Sequence, residues 1–171
     1  MVESLFIRPI EVADAQLVLN WENNVEGWNM SETPVLYTFF DILNLINELQ
    51  NVQTAKQARW MICTPDLHEP IGVVDLTDID FEVGVSGVGV MIADPAHRRK
   101  GMASKALDLL EVEAKKLKIH TLLSTILEDN AGSIRLFEKI GYKKIGATEE
   151  KYFVQGTYIQ GLLFEKWLNA L

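Results

Sequence analysis

A cluster of basic side chains lies next to a glycine in the stretch PAHRRKGMASKAL, residues 95–107, directly before a segment with helical spacing. The N-terminal end of a helix carries a partial positive charge, so each cation there is unfavourable by about 0.3 to 1 kcal/mol. A bound anion removes this conflict, because free backbone N–H groups and guanidinium groups both bind phosphate oxygens. Gly101 would let such a ligand approach the backbone closely. The stretch therefore predicts a phosphate-binding turn, with a solvated basic turn as the alternative.

Two other phosphate-binding patterns are excluded by their spacing. The chain contains no GxxxxGK[ST] sequence, which a P-loop requires. Gly84, Gly87 and Gly89 form a glycine-rich run, but this run lies inside a predicted strand and not in a strand-to-helix turn. Such glycines are more typical of packing or of a bulge in a strand.

Asp75 is a carboxylate within the strand pattern GVVDLTDID, and the resemblance described below makes it a candidate base. Period-two alternation puts it on one face with Val73, Thr77 and Ile79, so we expect a partly enclosed carboxylate. A solvated strand acid is the alternative. Glu22, in the sequence WENN, is a second candidate, and a helix-end surface acid is the alternative for it.

Cysteine and histidine are assigned no catalytic or metal-binding role. Cys63 lies in the apolar sequence WMIC without a neighbouring base, which indicates a buried and inert thiol. His68 and His120 have no partner at metal-ligand spacing, so the sequence predicts no metal site. His97 belongs to the basic turn and is in a position to contact a phosphate.

The overall composition excludes several classes of protein. The 171 residues contain 16 Lys and Arg against 24 Asp and Glu, a net charge of -8, which argues against nucleic-acid or anionic-membrane binding and mildly favours cationic ligands. The single cysteine allows no internal disulfide, and the first residues form neither a signal peptide nor a membrane span. We therefore expect a cytoplasmic protein with one domain over residues 1–171.

Hydrophobic periodicity predicts the element order β-α-α-β-β-β-α-β-α-β-β. Three apolar runs between residues 58 and 94 are separated by turn sequences and predict an antiparallel meander. Residues 101–118 have an amphipathic helical pattern. The second helix is predicted over residues 38–51. Its Phe39 and Phe40 are expected in the core, and the alternative is that they line an acceptor pocket. The order indicates an α/β (α+β) fold in which helices flank a mixed, mostly antiparallel sheet.

Two motifs carry a resemblance to a known family. The first, RxxGxA from Arg98 to Ala103, follows a predicted strand, and the second is NxxSxxLFxKxGY from Asn130 to Tyr142. Together they resemble the GNAT family of N-acetyltransferases, and the element order extends the resemblance over nearly the whole chain. The sequences FIRPIEVADA, WENN and IGVVDLTDID resemble the branch that contains spermidine N-acetyltransferases and the enzymes that acetylate ribosomal-protein N-termini.

The resemblance implies acetyl-CoA as the acetyl donor. In the family the diphosphate binds at the first motif and the pantetheine arm near the second, while backbone N–H groups at the end of the preceding strand hold the acetyl carbonyl. Carried over onto this sequence, the cofactor-binding residues are Met91, Ile92, Arg98, Arg99, Lys100, Gly101, Met102, Ala103, Ser104, Asn130, Ser133 and Phe137. Asn130 is expected to contact the pantetheine arm, to cap its helix, or to do both.

Acetyl transfer to an amine also needs a base, because an alkyl ammonium group has a pKa of about 10.4. The resemblance supports Asp75 as the catalytic base, since similar polyamine acetyltransferases carry a carboxylate at this position. Glu22 is the second candidate, as a carboxylate that binds the amine. Weaker candidates are Glu26 and Glu32.

The usual proton donor of the family is missing from this sequence. Many relatives carry a tyrosine where this chain has Phe137, which is expected to pack against pantetheine or in the core. Tyr142 is not expected to replace the tyrosine. It follows Phe137 by five positions, so its side chain is expected to point in another direction. Water is therefore expected to protonate the leaving thiolate.

The expected function is direct acetyl transfer from acetyl-CoA to a primary amine in a ternary complex. The acidic balance favours a polyamine or diamine as acceptor. A protein N-terminus, an amino sugar or an amino acid are alternatives, and the missing tyrosine leaves a non-catalytic acyl-CoA-binding module as an alternative of another class. We expect no nucleic-acid or membrane partner. The apolar C-terminal sequence TYIQGLLFEKWLNAL allows a homodimer, because it could extend a partner's sheet.

Overall fold

A seven-stranded sheet runs through the part of the chain that this computed structural model describes, residues 4–24, 36–66 and 70–169. None of the helices in these ranges is long and apolar enough to cross a membrane. The strands are β1 (Phe6–Pro9), β2 (Ala58–Cys63), β3 (Gly72–Asp80), β4 (Val85–Ile92), β5 (Thr121–Leu127), β6 (Lys143–Val154) and β7 (Thr157–Trp167). The helices are α1 (Ala15–Glu22), α2 (Phe39–Glu48), α3 (Val52–Ala55), α4 (Met102–Lys116) and α5 (Ala131–Lys139).

The strands follow the order β1-β2-β3-β4-β5-β7-β6 across the sheet. Every neighbouring pair is antiparallel except β4 and β5, which run parallel. The mixed sheet and the meander of β2, β3 and β4 confirm the predicted fold class. The structure adds α3 to the predicted order, because the side-chain oxygen of Asn51 accepts hydrogen bonds from the N–H groups of Gln53 and Thr54. This cap starts a new helical turn directly after residue 51, where the predicted second helix ended, in a stretch to which the prediction assigned no element.

β4 and β5 pair over a short stretch and then separate. Their parallel register ends with Gly87 opposite Leu123. Beyond this point β4 stays paired with β3, and β5 with β7. Within the described residues, the edge of β4 over Val88–Ile92 therefore has no strand beside it, and its backbone is available to a ligand. We call the opening between this edge and Ser124–Leu127 of β5 the fork.

Helices cover the two faces of the sheet at different places. α4 packs on one face, against alternate residues of β2, β3 and β4. On the other face α1 and α2 cover β2 and β3, with Ile42 and Ile46 of α2 buried. Full burial of one large apolar side chain stabilises the fold by about 1.5 to 3 kcal/mol. The buried stripe of α4 therefore fixes the position of this helix, and so the position of the first turn of α4 relative to the end of β4. This stripe consists of Met102, Ala106, Leu107, Leu110 and Ala114.

A bulge in β3 turns its last residues to the other face. The register with β4 shifts between Thr77 and Asp80, and Asp78 has a φ of 47°. Val73 packs in the core under α1 and α2, whereas Ile79 packs in the core under α4. The prediction that Ile79 shares a face with Asp75 was therefore wrong, because the extra residue of a bulge breaks the alternation.

The prediction that Phe39 and Phe40 lie in the core was also wrong. Phe39 is 45% exposed and Phe40 is 68% exposed. The helical period of about 100° per residue puts Phe40 on the opposite side of α2 from the buried Ile42. Phe39 lies in the first turn, where the buried stripe of α2 ends.

β7 is an interior strand of the chain's own sheet, because it pairs with both β5 and β6. The apolar C-terminal sequence is therefore used inside this sheet. A homodimer stays a prediction, and it would need another surface than the edges of β7.

Candidate active site

A cavity of about 540 Å³ opens beside the fork. Its walls are the last residues of β4, the basic turn with the start of α4, and the start of α5. Because α4 and α5 begin at the same end of the sheet, the structure brings the two sequence motifs to one site. The lining residues are Met91, Ile92, His97, Arg98, Arg99, Gly101, Met102, Ala103, Ser104, Asn130, Gly132, Ser133 and Leu136.

Most of the cofactor-binding residues predicted from the sequence lie in this lining, but Lys100 and Phe137 do not. Gly132 and Leu136 line the cavity although the sequence analysis assigned them no role. Leu136 follows Ser133 by three positions, which puts both on one face of α5. Helical spacing from Ser133 could therefore have found it.

The first turn of α4 has the properties of an anion site. Gly101 is its N-cap residue, with a φ of 80°, and no side chain caps this end. The first N–H groups of a helix have no partner within the helix, so those of Met102, Ala103 and Ser104 are available at the cavity wall. A Cβ atom at Gly101 would meet no atom within 4 Å, so space for a ligand is present. Glycine adopts this φ without strain, and these residues fit a diphosphate.

Arg98 holds the end of β4. Its Nε donates to the carbonyl oxygen of Ile92 at 2.8 Å, and its Nη2 donates to that of Ala93 at 3.1 Å. In the structure, two donors of this guanidinium fix the strand whose edge forms one side of the fork. Arg98 also lines the cavity, and its binding to phosphate stays a prediction.

A second contact stiffens the basic turn. The Oδ2 atom of Asp94 lies 2.9 Å from Nδ1 of His97, and Oδ1 accepts from the N–H of Ala96 at 2.8 Å. The N–H of Ala96 and the contact with His97 hold the pKa of the Asp94 carboxyl below its usual range. The turn is therefore held from both sides, by Asp94 and by Arg98.

Asn130 caps α5 at the far wall of the cavity. Its Oδ1 atom accepts from the N–H of Ser133 at 3.1 Å. The oxygen is used by the cap, while the amide Nδ2 retains two donors. This division allows the residue to cap its helix and to contact a ligand at the same time.

A second group of polar side chains lies on the face of the sheet that α1 and α2 cover. Arg59 of β2 donates from Nε and Nη2 to the two oxygens of Asp75 in β3, at 2.9 and 3.0 Å. Its Nη1 donates to Oε1 of Glu22, at the end of α1, at 2.6 Å. We call these three residues the Glu22–Arg59–Asp75 cluster. The structure thus brings both predicted carboxylates together through an arginine that the sequence analysis missed.

The cluster is half-buried, and this affects its electrostatics. The side chains of Glu22, Arg59 and Asp75 are 20%, 17% and 19% exposed. Burial raises the pKa of the Asp75 carboxyl above its usual range, the Arg59 guanidinium opposes this shift, and the negative charge of Glu22 adds to it. Burial also disfavours the charged form of Arg59, but the two carboxylates outweigh this effect and raise the pKa of the guanidinium.

The cluster lies beside the free part of β4. Arg59 pairs with Asp75 across β2 and β3, and Asp75 pairs with Gly89 across β3 and β4. Neighbouring strands are about 4.8 Å apart, so Asp75 stands one strand from the edge that opens into the fork. A Cβ atom at Gly89 would meet no atom within 4 Å, which leaves open space next to the carboxylate.

Residues 4–143 match the family model described as an acetyltransferase (GNAT) domain. The chain belongs to the GNAT family. The resemblance expected from the two motifs is confirmed, and so is the activity class: this GNAT protein is an N-acetyltransferase, and acetyl-CoA is its cosubstrate.

Several GNAT relatives match along nearly the whole chain. YjcK, a probable N-acetyltransferase of Bacillus subtilis, is 28% identical over 163 residues, 91% of this chain and 90% of the relative. The spermidine N(1)-acetyltransferase of Vibrio cholerae is 27% identical over 163 residues, 92% of this chain and 90% of the relative.

Two solved structures have the same fold. Spermidine N-acetyltransferase from Vibrio cholerae in complex with CoA and spermine superposes with a TM-score of 0.85 at 22% identity, covering 95% of each chain. RimL, a ribosomal L7/L12 α-N-protein acetyltransferase in complex with coenzyme A, superposes with a TM-score of 0.84 at 13% identity, covering 100% of this chain and 98% of RimL.

In this GNAT protein Phe137 is part of the core. It is 4% exposed, and its ring meets that of Tyr142 edge-on, with centroids 4.8 Å apart. The hydroxyl of Tyr142 is buried without a hydrogen-bond partner among the described residues, and burial raises its pKa. Tyr142 therefore packs in the core, and it lies outside the lining of the cavity.

Other candidates from the sequence lie away from the two sites or outside the described residues. Cys63 is 7% exposed, and burial raises the pKa of its thiol, so it is a poor nucleophile. Within residues 4–24, 36–66 and 70–169 there is no group of three or more His, Cys, Asp or Glu side chains that could hold a metal ion. The candidates that fall outside the described residues are Glu26, Glu32 and His68.

Asn23 joins the two ends of the segment between α1 and α2. Its Nδ2 donates to the carbonyl oxygen of Tyr37 at 2.9 Å, and its Oδ1 accepts from the N–H of Tyr37 at 2.8 Å. Because Asn23 directly follows Glu22, this pair of bonds also fixes the end of α1 that carries the carboxylate.

Proposed function

We propose that this N-acetyltransferase acts on a polyamine or diamine, with acetyl-CoA in the cavity at the fork and the amine arriving from the face covered by α1 and α2. The observation that carries the proposal is the position of the Glu22–Arg59–Asp75 cluster, one strand from the open edge of β4. Donor and acceptor then meet at that edge from two sides. The first strand, β1, and the last strand, β7, belong to the same sheet, so we treat residues 1–171 as one domain.

The donor half of the proposal rests on backbone groups. The diphosphate would accept hydrogen bonds from the N–H groups of Met102, Ala103 and Ser104, where the helix dipole also favours negative charge. The pantetheine arm would lie along Val88–Ile92 in the place of a missing strand, since no strand pairs with this edge and only the carbonyl oxygen of Ile92 is used by Arg98 among the described residues. A volume of about 540 Å³ suits a ligand of this kind.

The acceptor half rests on charge. Glu22 and Asp75 carry two negative charges against the single positive charge of Arg59, so the cluster has a net charge of about -1 when both carboxylates are ionised. An ammonium group is attracted to such a site, and the chain as a whole carries -8, which attracts a polycation over a longer range. The similarity to a spermidine N(1)-acetyltransferase over 92% of this chain supports the same choice.

The chemistry requires removal of a proton from the ammonium group. Asp75 is the proposed base: a carboxylate accepts about four hydrogen bonds, and Arg59 supplies two, so lone pairs remain for an ammonium group or a water. The raised pKa of Asp75 makes it a better proton acceptor than an exposed aspartate. Glu22 would bind the ammonium before it loses the proton.

The neutral amine attacks the carbonyl carbon of the acetyl-CoA thioester. A C–N bond forms at this carbon while the C–S bond breaks. The thiol of coenzyme A has a pKa of about 8.5, so its thiolate leaves without a strong acid. A water can protonate it, which fits the burial of Phe137 and Tyr142 away from the cavity lining.

The test is a comparison of acceptors. Purified protein is incubated with acetyl-CoA and, one at a time, spermidine, a linear diamine, a short peptide with a free N-terminus, and an amino sugar, and release of free thiol is measured. We expect the highest kcat/KM with the diamine or spermidine. Turnover with the peptide or the amino sugar but with neither polycation would overturn the polyamine assignment.

A further inference from the structure

Arg59 connects three elements that are far apart in the chain. It lies in β2, and it binds Asp75, 16 residues away in β3, and Glu22, 37 residues away at the end of α1. The two bonds to Asp75 use both carboxylate oxygens, which fixes the plane of that carboxylate as well as its position. A lysine at the same place would hold it as a point charge, without this orientation.

The charged groups that face Asp75 among the described residues are Arg59 and Glu22. On the β4 side Asp75 faces Gly89, which has no side chain. Without the guanidinium, the Asp75 carboxylate would lose the positive charge that opposes the effects of burial and of Glu22 on its pKa. Arg59 therefore favours the ionised form of Asp75.

We propose that Arg59 is the positioning residue of the acceptor site, which orients the Asp75 carboxylate beside the open edge of β4 and holds Glu22 next to it to receive the ammonium group. The inference rests on the proposed function, because that proposal assigns Asp75 and Glu22 their roles at the amine. It predicts that Arg59 affects proton removal and amine binding without contacting acetyl-CoA.

The salt bridge between Arg8 and Asp14 can be compared with that between Arg59 and Asp75, because each arginine binds both oxygens of its aspartate. Nη1 and Nη2 of Arg8 donate to the two oxygens of Asp14 at 2.8 and 2.7 Å. The N–H of Glu11 also donates to Asp14, at 2.8 Å, and Asp14 is 4% exposed, so this carboxylate is enclosed and has a structural role. Asp75 differs, because its cross-strand neighbour on β4 leaves open space.

The experiment compares Arg59→Gln, Arg59→Lys and Arg8→Gln with the wild type, using the best amine from the acceptor panel. For each protein, kcat, KM for the amine and kcat/KM are measured between pH 5 and pH 10, together with Tm and the Kd for acetyl-CoA.

For Arg59→Gln we expect kcat at pH 7 to fall by about 100-fold, the loss that a misplaced catalytic group causes. Loss of the guanidinium removes the charge that opposes the raised pKa of Asp75, so the acid-side decrease of kcat/KM should move to higher pH. KM for the amine should rise, while Kd for acetyl-CoA stays within twofold. Arg59→Lys should restore the position of the acid-side decrease but not the full kcat, because it returns the charge without the two-bond orientation.

Arg8→Gln should lower Tm without moving the pH profile. Two results for Arg59→Gln together would overturn the inference: the acid-side decrease of kcat/KM stays at the wild-type pH, and activity falls no more than the amount of folded protein does. Arg59 would then be a structural residue. If the wild type acetylates none of the amines, the proposed acceptor fails instead, so the two failures are distinguishable.

Discussion

The cavity beside the fork and the Glu22–Arg59–Asp75 cluster are built in opposite ways. The cavity uses short stretches of the chain, mainly residues 91–104 and 130–136, and presents backbone N–H groups at a helix start. The cluster uses single side chains from α1, β2 and β3, joined by three hydrogen bonds. A site made of backbone depends on local conformation, whereas a site made of distant side chains depends on strand register and helix packing.

This difference predicts different responses to mutation. A change in the cavity should affect affinity for acetyl-CoA, and a change in the cluster should affect turnover and its pH dependence. Variants that shift both quantities together would break the separation between the two regions.

The largest effect is expected for Asp75→Asn. If Asp75 is the base, kcat should fall by about 100- to 10,000-fold, the range typical of general acid–base catalysis. The Kd for acetyl-CoA should be unchanged, as measured by calorimetry. Asp108→Asn, on the exposed side of α4, serves as the control with wild-type kcat.

The wild type should also report the base through pH. Because burial raises the pKa of Asp75, kcat/KM should begin to fall on acidification at a higher pH than an exposed aspartate would cause. A kcat of Asp75→Asn within threefold of the wild type, at both pH 7 and pH 9, would remove Asp75 from the mechanism.

The next effect is expected for Gly101→Val. The φ of 80° is unfavourable for a branched side chain, and the added methyl groups would occupy the space beside the first turn of α4. A strain of about 1 to 3 kcal/mol corresponds to a loss of roughly 5- to 150-fold in affinity for acetyl-CoA. Gly146→Ala is the control, because a Cβ atom there also meets no atom within 4 Å and Gly146 lies in β6, outside the cavity lining. Equal affinities for both variants would mean that the diphosphate binds elsewhere.

A smaller effect is expected for Arg98→Ala. Loss of the bonds to Ile92 and Ala93 should lower the free energy of unfolding by about 1 kcal/mol and loosen the edge of β4, with a several-fold weaker Kd for acetyl-CoA. Arg99→Ala should leave the free energy of unfolding unchanged, as measured by urea unfolding, since the structure gives the Arg99 side chain no such bond to β4. Equal stabilities for the two variants would show that Arg98 does not hold the strand.

The smallest effect on turnover is expected for Phe137→Tyr, which restores the residue common in the family. The ring is buried against Tyr142, so the new hydroxyl would lie in the core and would not reach the cavity. We expect kcat within about twofold of the wild type and a free energy of unfolding lowered by about 1 to 3 kcal/mol, the cost of burying an unpaired hydroxyl. A clear gain in kcat, measured by thiol release, would show instead that the ring reaches the thiolate.

The parts of the fold that sequence reasoning predicted are those set by local patterns. The stripe of α4 repeats at helical spacing, and Asn130 stands at a helix start, so their roles follow from neighbouring residues. The errors arose where one residue changes the pattern. The bulge at Asp78 reversed the face of Ile79, and the cap at Asn51 started a short helix in a stretch to which periodicity had assigned no element.

The sequence by itself determined the donor half of this protein: its family, its cosubstrate and the turn around Gly101, because a glycine-linked helix start is a local structure that a short motif specifies. Only the tertiary structure revealed the Glu22–Arg59–Asp75 cluster, which we propose as the acceptor site. The register of β2 against β3 sets Arg59 opposite Asp75, and the packing of α1 brings Glu22 to the same guanidinium. Strand register and helix packing are long-range properties, and so the partner that controls both carboxylates became visible only in the folded chain.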